Sequence, residues 1–183
     1  MTGRPRRADA QRNYDLVLAA AREVFEELGV NATLDEIARR AGVGNATMYR
    51  HFPARRDLVI AVYAEEVTAL GELGHTLLDD DSPVDALFVW LRAFITHVST
   101  KSDLPLAISA DTTGQRSALY QQWHETMHTA AADLLHRAQR AGAIEPDLQV
   151  ADLLAAANGI GHTAADDPQA DRLLSIVRAG LTR

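Results

Sequence analysis

The chain contains no cysteine. Disulfides, thiolate zinc fingers, iron–sulfur clusters and cysteine nucleophiles are therefore excluded, which leaves histidine and carboxylate side chains as the candidate metal ligands. Glycine and proline are scarce, with 11 and 6 among 183 residues, whereas 47% of the residues are hydrophobic. This composition excludes disordered and collagen-like chains. No apolar run approaches the ~18 residues of a membrane helix, and the arginine-rich start lacks the apolar core of a signal peptide. We expect a soluble, cytoplasmic protein that does not contact a membrane.

The net charge of −7 is unevenly distributed. Residues 1–57 contain ten arginines and eight acidic residues, whereas residues 58–183 contain eight basic and 17 acidic residues. The first twelve residues, which include Arg4, sum to +3. This excess predicts a basic arm over residues 1–12 that lies near a polyanion, and a solvated tail is the alternative.

Apolar residues recur at spacings of three and four, and no segment shows a strand pattern. We predict an all-α fold of about nine helices. Three of them lie within residues 9–52, and the others span residues 54–78, 83–100, 104–111, 116–141, 147–164 and 168–182.

Two short helices within residues 33–52 meet at a glycine turn. Thr33 and Glu36 fit a capping box that opens the first of them. Gly42 ends that helix because glycine adopts the left-handed conformation of sharp turns, and Pro53 closes the second helix. The pair is predicted to cross steeply, as in a helix-turn-helix.

The exposed side of the second short helix carries donors, acceptors and methyl groups. These groups suit base edges in the DNA major groove, and they belong to Asn45, Ala46, Thr47 and Arg50. No acidic residue stands at position 46 or 54 to pair with Arg50 along the helix, which favours base reading by its guanidinium group.

Three segments, Ala20–Gly29, Thr33–Val43 and Thr47–Phe52, followed by Arg55 and Leu58, resemble the TetR family of bacterial transcriptional regulators. The resemblance implies a three-helix DNA-binding head over residues 13–57 and a helical-bundle domain for ligand binding and dimerisation over residues 58–183. It also implies that residues 44–50 lie in the major groove. By the same resemblance, four side chains grip phosphates: Thr33, Tyr49, His51 and Arg55.

Two positions depart from the family pattern. Arg55 replaces the usual lysine and keeps its charge, whereas Gly44 replaces the usual serine or threonine, so that its backbone amide is the predicted donor. Alternatives stay open for two phosphate candidates. Tyr49 packs its ring under the first helix in one interpretation, and His51 only caps a helix end in another.

The resemblance further implies that the last two long helices pair with their copies in a homodimer. Their spacing places one apolar stripe on each helix, and the predicted interface residues are Val150, Leu154, Ala157, Gly161, Leu173, Val177 and Leu181. An intramolecular core is the alternative for each position.

Large and semi-polar residues predict a pocket for a small, mostly apolar or aromatic effector, because packed cores favour Leu, Ile and Val. The candidates stand one turn apart on three helices: Trp90, Phe94 and His97, then Trp123 and Met127, then Asn158 and His162. An ordinary core with satisfied histidines is the alternative.

One motif indicates an enzyme. His124, Glu125 and His128 spell HExxH, the zinc-protease pattern that places two histidines on one helix face. A third ligand is missing, however, because Ala131 and Leu134 occupy the positions where the longer signature has glycine and histidine. We therefore predict no catalytic site, no metal and no cofactor, with a metal-dependent hydrolase or a regulatory metal at these histidines as alternatives. The main prediction is a homodimeric repressor that binds a palindromic double-stranded DNA operator.

Overall fold

The computed structural model describes residues 4–29, 32–99 and 115–182, with side chains for all of them except residues 4–7, 26 and 115–117. Within these ranges the chain forms eight helices: α1 (Arg4–Leu28), α2 (Leu34–Ala41), α3 (Asn45–His51), α4 (Arg55–Leu77), α5 (Pro83–Ser99), α6 (Gln115–Arg140), α7 (Val150–Thr163) and α8 (Asp167–Leu181). Apart from an isolated β-bridge between Ile144 and Thr182, the regular structure described is helical. The predicted all-α fold is therefore confirmed, and the short helix predicted over residues 104–111 lies outside the described residues.

The chain divides into two compact units, Met1–Glu65 and Glu66–Arg183, and the boundary falls inside α4. The sequence places this boundary earlier, after residue 57. Residues 4–12, predicted as a separate basic arm, are instead the first turns of α1, because their arginines, alanines and glutamine are good helix formers. Helix α7 begins at Val150 rather than at residue 147, because Pro146 and Asp147 occupy a turn that precedes it.

In the N-terminal unit, α1 packs against both α2 and α3. The contact is apolar, with Val17 and Ala21 of α1, Ile37 and Ala38 of α2, and Met48 of α3 fully buried. Burial of a side chain of this kind stabilises a fold by about 1.5–3 kcal/mol. The apolar inner faces therefore fix the position of α3 on its scaffold.

In the C-terminal unit, α5 is the central helix and contacts α6, α7 and α8. Leu87, Leu91 and Ile95 are buried along its length. Gly161 lets α7 approach closely, because a Cβ atom at this position would lie 2.7 Å from Val98 Cγ1.

Ion pairs join α8 to α5 at two levels. Arg92 pairs with Asp167 at 3.1 Å and also with Asp171, while Arg178 pairs with Asp85. These hydrogen bonds outweigh the desolvation of Arg92 and raise its pKa above the usual value. These ion pairs link the two helices beside the buried residues Ala170 and Leu174 of α8.

A buried tryptophan of α5 forms a hydrogen bond to the backbone of α4. The indole nitrogen Nε1 of Trp90 donates a hydrogen bond to the backbone carbonyl of Leu70 at 2.9 Å. Gly74 makes room for this contact, since a Cβ atom there would lie 3.2 Å from Trp90 Nε1 and 2.7 Å from the Cβ of Ala130. The absence of a side chain at Gly74 thus lets three helices meet.

We predict that Gly74→Ala lowers the free energy of unfolding by about 1–3 kcal/mol, because the added methyl group overpacks this junction. Chemical denaturation of the purified protein measures the effect. The double variant Gly74→Ala/Ala130→Gly removes the closest clash and should recover part of the loss. A gain in stability from Gly74→Ala alone would show that the junction is not tightly packed.

Candidate nucleic-acid interface

A sharp turn at Gly42 separates α2 from α3. Gly42 has a φ of 68°, in the left-handed region, and its N–H bonds the carbonyl groups of Ala38 and Arg39. Gly44 then adopts an extended conformation as the N-cap of α3 and provides no side-chain cap. A residue with a Cβ atom is disfavoured at the φ of Gly42, so glycine fixes the crossing of the two helices. The predicted helix-turn-helix is present.

The two faces of α3 differ in chemistry. Met48 and the C-cap residue Phe52 are buried, whereas Asn45, Ala46 and Arg50 are exposed. Thr47 is half-buried. The exposed face therefore presents an amide, a methyl group and a guanidinium group side by side, which together can read hydrogen-bonding and methyl patterns of base edges.

Two arginines of the neighbouring helix α2 are already paired. Arg39 bonds Glu36 at 2.6 Å, and Arg40 lies 2.7 Å from Glu27. The hydrogen bond from Arg39 lowers the pKa of Glu36. By contrast, Arg50 makes no ion pair with any residue whose side chain is described. Its charge is thus available to an external acceptor.

Tyr49 is 47% exposed, and its hydroxyl group lies 3.4 Å from Asp35 Oδ1 in the first turn of α2. Its ring therefore does not occupy the place under α1 that the alternative interpretation assigned to it. Tyr14 of α1 instead makes the aromatic contact with the end of α3, where it stacks on Phe52 with ring centroids 5.3 Å apart. The contact joins distant segments of the chain, so no local pattern in the sequence could identify Tyr14.

The other predicted phosphate contacts lie at helix ends. Thr33 is the N-cap of α2, where its hydroxyl oxygen accepts a hydrogen bond from the Glu36 N–H at 3.2 Å. His51 is half-buried, with its ring 6.0 Å from that of Tyr14 in an edge arrangement. Arg55 is exposed at the start of α4. Arg4 is the first residue of α1, and its side chain lies outside the described part of the chain.

The predicted pocket residues fall into two groups. The first is buried in the C-terminal unit and consists of Trp90, Phe94, His97, Trp123 and Met127. Within it, Trp90 and Phe94 stack at 5.5 Å, and His97 Nδ1 lies 3.1 Å from Glu66 Oε2. The second group, Asn158 and His162, is exposed on α7. The sequence spacing did not identify Glu66, because it lies on another helix.

The predicted interface residues also divide. Ala157 and Gly161 are buried within the C-terminal unit, and their role in a dimer interface stays a prediction. Gly161 lies against Val98 and Ile95 of α5 and allows the close packing of these two helices. The remaining five are half-buried: Val150, Leu154, Leu173, Val177 and Leu181.

The HExxH residues lie on the exposed side of α6. His124 sets its ring against the edge of Tyr120, with centroids 4.4 Å apart, and partial burial lowers the pKa of His124. Across the described ranges, no three histidine or acidic side chains are grouped to hold a metal ion. The hydrolase alternative therefore has no support.

A helix-turn-helix with an exposed, base-compatible second helix is typical of DNA-binding proteins, and comparisons with known proteins agree. Residues 17–62 match the family described as "Bacterial regulatory proteins, tetR family". Residues 82–183 match "Transcriptional regulator SbtR-like, C-terminal domain". The chain belongs to the TetR family and is a DNA-binding transcriptional regulator.

Solved structures of similar proteins extend over nearly the whole chain. A TetR transcriptional regulator of Streptomyces coelicolor, SCO0520, is 37% identical, with 92% of this chain and 97% of that one covered at a TM-score of 0.77. A TetR regulatory protein of Mycobacterium vanbaalenii is 32% identical, with 98% and 100% covered at a TM-score of 0.76.

A curated relative is similar over a shorter stretch. The transcriptional activator FasR of Mycolicibacterium smegmatis is 44% identical over 126 residues, which is 66% of this chain and 58% of the relative. In two further relatives of Pseudomonas putida, the matched segment spans only 27% and 43% of their length. None of the helices described here is long and apolar enough to cross a membrane.

Proposed function

We propose that the protein is a repressor that binds a palindromic operator as a homodimer and leaves it when a small, mostly apolar effector binds. The exposed face of α3 is the observation that carries this proposal, because Asn45, Ala46 and Arg50 are presented to an external partner on a firmly packed helix. We assign residues 13–57 to DNA binding and residues 58–183 to effector binding and dimerisation.

DNA contacts divide into reading and positioning. Arg50 reads a base, with Asn45, Ala46 and Thr47 beside it in the major groove. The Gly44 amide and the side chains of Arg4, Thr33, Tyr49, His51 and Arg55 are assigned to phosphates. Phosphate contacts supply affinity and register for every DNA sequence, whereas base contacts distinguish the operator from other sites.

Dimerisation follows from the short reach of one recognition helix, which reads only a few base pairs. Two copies about 34–36 Å apart would read successive major grooves. The outer sides of α7 and α8 support this assignment. Ala151, Ala155 and Gly159 line an exposed stripe of small residues on α7, and Ile176 on α8 is 68% exposed. An isoleucine this exposed is suited to burial against a second copy.

The effector site is assigned to the C-terminal unit. Trp90, Phe94, Trp123 and Met127 provide rings and a thioether, which favour an apolar or aromatic molecule. Asn158 and His162 are assigned to its polar contacts. Whether the protein represses or activates transcription needs its own test, because a relative with 44% identity is named an activator.

Footprinting of the purified protein on the DNA upstream of its own gene tests the proposal. We expect protection of an inverted repeat, a dimer in sedimentation, and lower transcription from that promoter when the protein is added. Protection of a single, asymmetric half-site by a monomer would contradict the dimer. A rise in transcription would assign the protein to the activators instead.

A further inference from the structure

We propose that Asp35 limits the affinity of the helix-turn-helix for DNA, because it competes with the phosphate backbone for the hydroxyl proton of Tyr49. The proposal deepens the proposed function and rests on it for the phosphate contact of Tyr49. Both residues lie in the N-terminal unit, Asp35 in the first turn of α2 and Tyr49 in α3. Asp35 thereby has a role that opposes DNA binding.

The hydroxyl group of Tyr49 donates a hydrogen bond to Asp35. The two oxygen atoms lie 3.4 Å apart, and both side chains are exposed. An ionised carboxylate only accepts hydrogen bonds, so the tyrosine is the donor. The distance exceeds the usual O–H···O range of about 2.5–3.0 Å, and a bond of this length in solvent is weak. An acceptor that comes closer can therefore take the hydroxyl group away from Asp35.

A DNA phosphate requires the same hydrogen atom. The tyrosine hydroxyl group has one hydrogen to donate. The phosphate oxygens of DNA, like the Asp35 carboxylate, are anionic acceptors. Each phosphate contact made through the hydroxyl hydrogen of Tyr49 therefore requires the loss of its bond to Asp35. The carboxylate thus reduces the affinity that Tyr49 contributes.

The negative charge of Asp35 is not balanced by an ion pair. The other carboxylate of this turn, Glu36, bonds Arg39 at 2.6 Å and lies 3.8 Å from Arg40. Asp35 makes no ion pair with any residue whose side chain the structure describes. An unpaired anion repels nearby phosphates, and salt screens this repulsion beyond about 8 Å at physiological ionic strength. Asp35 therefore opposes phosphate binding through its charge as well.

Asp35 lies at the helix end that is assigned to the DNA backbone. Thr33, assigned above to a phosphate, is the N-cap of α2 and precedes Asp35 by two residues. The N-terminal end of a helix favours an anion, because its free N–H groups and its dipole are positive. Asp35 provides such an anion from the chain itself, so a phosphate at this end gains less.

The expected consequence is lower affinity for every DNA sequence. Phosphate contacts carry no sequence information, so a competitor for phosphate weakens binding to operator and random DNA by the same factor. Phosphate contacts also provide essentially all of the non-specific affinity of a DNA-binding protein. Asp35 therefore reduces retention on DNA outside the operator, while the base contacts of α3 preserve the preference for the operator.

The test compares Asp35→Asn with Asp35→Ala, each in the wild-type protein and in Tyr49→Phe. Both substitutions remove the charge and its interaction with the helix end. They differ because the side-chain oxygen of asparagine still accepts a hydrogen bond from Tyr49, whereas alanine accepts none. The matched control is Asp15→Ala, which removes an exposed aspartate of α1 that accepts a hydrogen bond from Gln11 at 2.8 Å.

Dissociation constants are measured on two duplexes of equal length, one with the inverted repeat footprinted upstream and one of random sequence. Asp35→Asn should tighten binding to both about twofold, through the loss of one negative charge. Asp35→Ala should tighten it about fivefold, because the hydroxyl group of Tyr49 is also released to a phosphate. In Tyr49→Phe, both substitutions should give only about a twofold gain, and Asp15→Ala should stay within about twofold throughout. Thermal unfolding confirms that each variant is folded.

Three results would overturn the competition. They are equal gains from Asp35→Asn and Asp35→Ala, a fivefold gain from Asp35→Ala that persists in Tyr49→Phe, and weaker binding by Asp35→Ala. In the last case Asp35 would support Tyr49 instead of competing with DNA for it. Failure of the proposed function is a separate result. Wild-type protein that binds the repeat no better than random DNA would contradict the operator, and the Tyr49-dependent gain on random DNA would still decide the role of Asp35.

Discussion

Ile176→Arg is expected to separate the protein into monomers and to lower its affinity for a palindromic operator by more than about a hundredfold. Ile176 is 68% exposed on α8, on the outer side of a helix that is fastened to α5 by the Arg92 and Arg178 ion pairs. An arginine there would face its own copy across a two-fold axis, so that like charges meet while apolar area is lost. Sedimentation and operator titration measure the two effects.

The control is Leu28→Arg, which places the same charge at another exposed hydrophobic residue. Leu28 is 59% exposed at the end of α1 in the N-terminal unit. This variant should remain a dimer in sedimentation at the same protein concentration. If Ile176→Arg also sediments as a dimer, the outer side of α8 is not the interface. Loss of dimer in both variants would indicate general destabilisation, which thermal unfolding detects.

The helix-turn-helix was predictable from sequence because its signals are local. Thr33 caps α2, Gly42 ends it in the left-handed conformation, and Pro53 follows the end of α3, all as predicted. Each signal acts through the backbone of its own neighbours, so it does not depend on which helix packs where. The exposure of Asn45 and Arg50 follows from the same periodicity once Met48 is buried.

The C-terminal unit was less predictable from the sequence. The spacing of apolar residues identifies an apolar stripe on a helix, but it does not identify which helix packs against that stripe. Ala157 and Gly161 belong to an apolar stripe of α7 that is buried within the same chain, and Gly161 lies against α5. Trp90 illustrates a related difficulty. Its role depends on the carbonyl of Leu70 and the space at Gly74, which are brought together only by the packing of α4.

Ion pairs between distant helices could also not be predicted from the sequence. Arg22 with Glu65, and Glu66 with His97, join helices that are distant along the chain. Such an ion pair forms only when two packed helices are aligned so that the two side chains meet. The spacing of apolar residues does not define this alignment closely enough. The same holds for Tyr14, whose partners Phe52 and His51 lie beyond α2.

The second large effect concerns the two arginines that flank the end of α3. Arg50→Ala should cost about 1–3 kcal/mol of operator binding and relax the base preference at one or two positions in each half-site. Arg55→Ala should instead weaken binding to all DNA sequences and reduce the salt slope by about one unit. Arg50 is exposed, so Arg50→Ala should change the free energy of unfolding little, and thermal unfolding is measured for both variants.

Titration against the operator, single-base variants of it and random DNA at several salt concentrations separates the two roles. Arg140→Ala, at the end of α6, removes one charge from the C-terminal unit and controls for net charge. Loss of a base contact weakens binding only to DNA that carries the matching base, whereas loss of a phosphate contact weakens binding to every duplex. If Arg50→Ala loses the same binding affinity on operator DNA and on random DNA, Arg50 contacts a phosphate. The base reading assigned to the outer face of α3 would then rest on Asn45, Ala46 and Thr47.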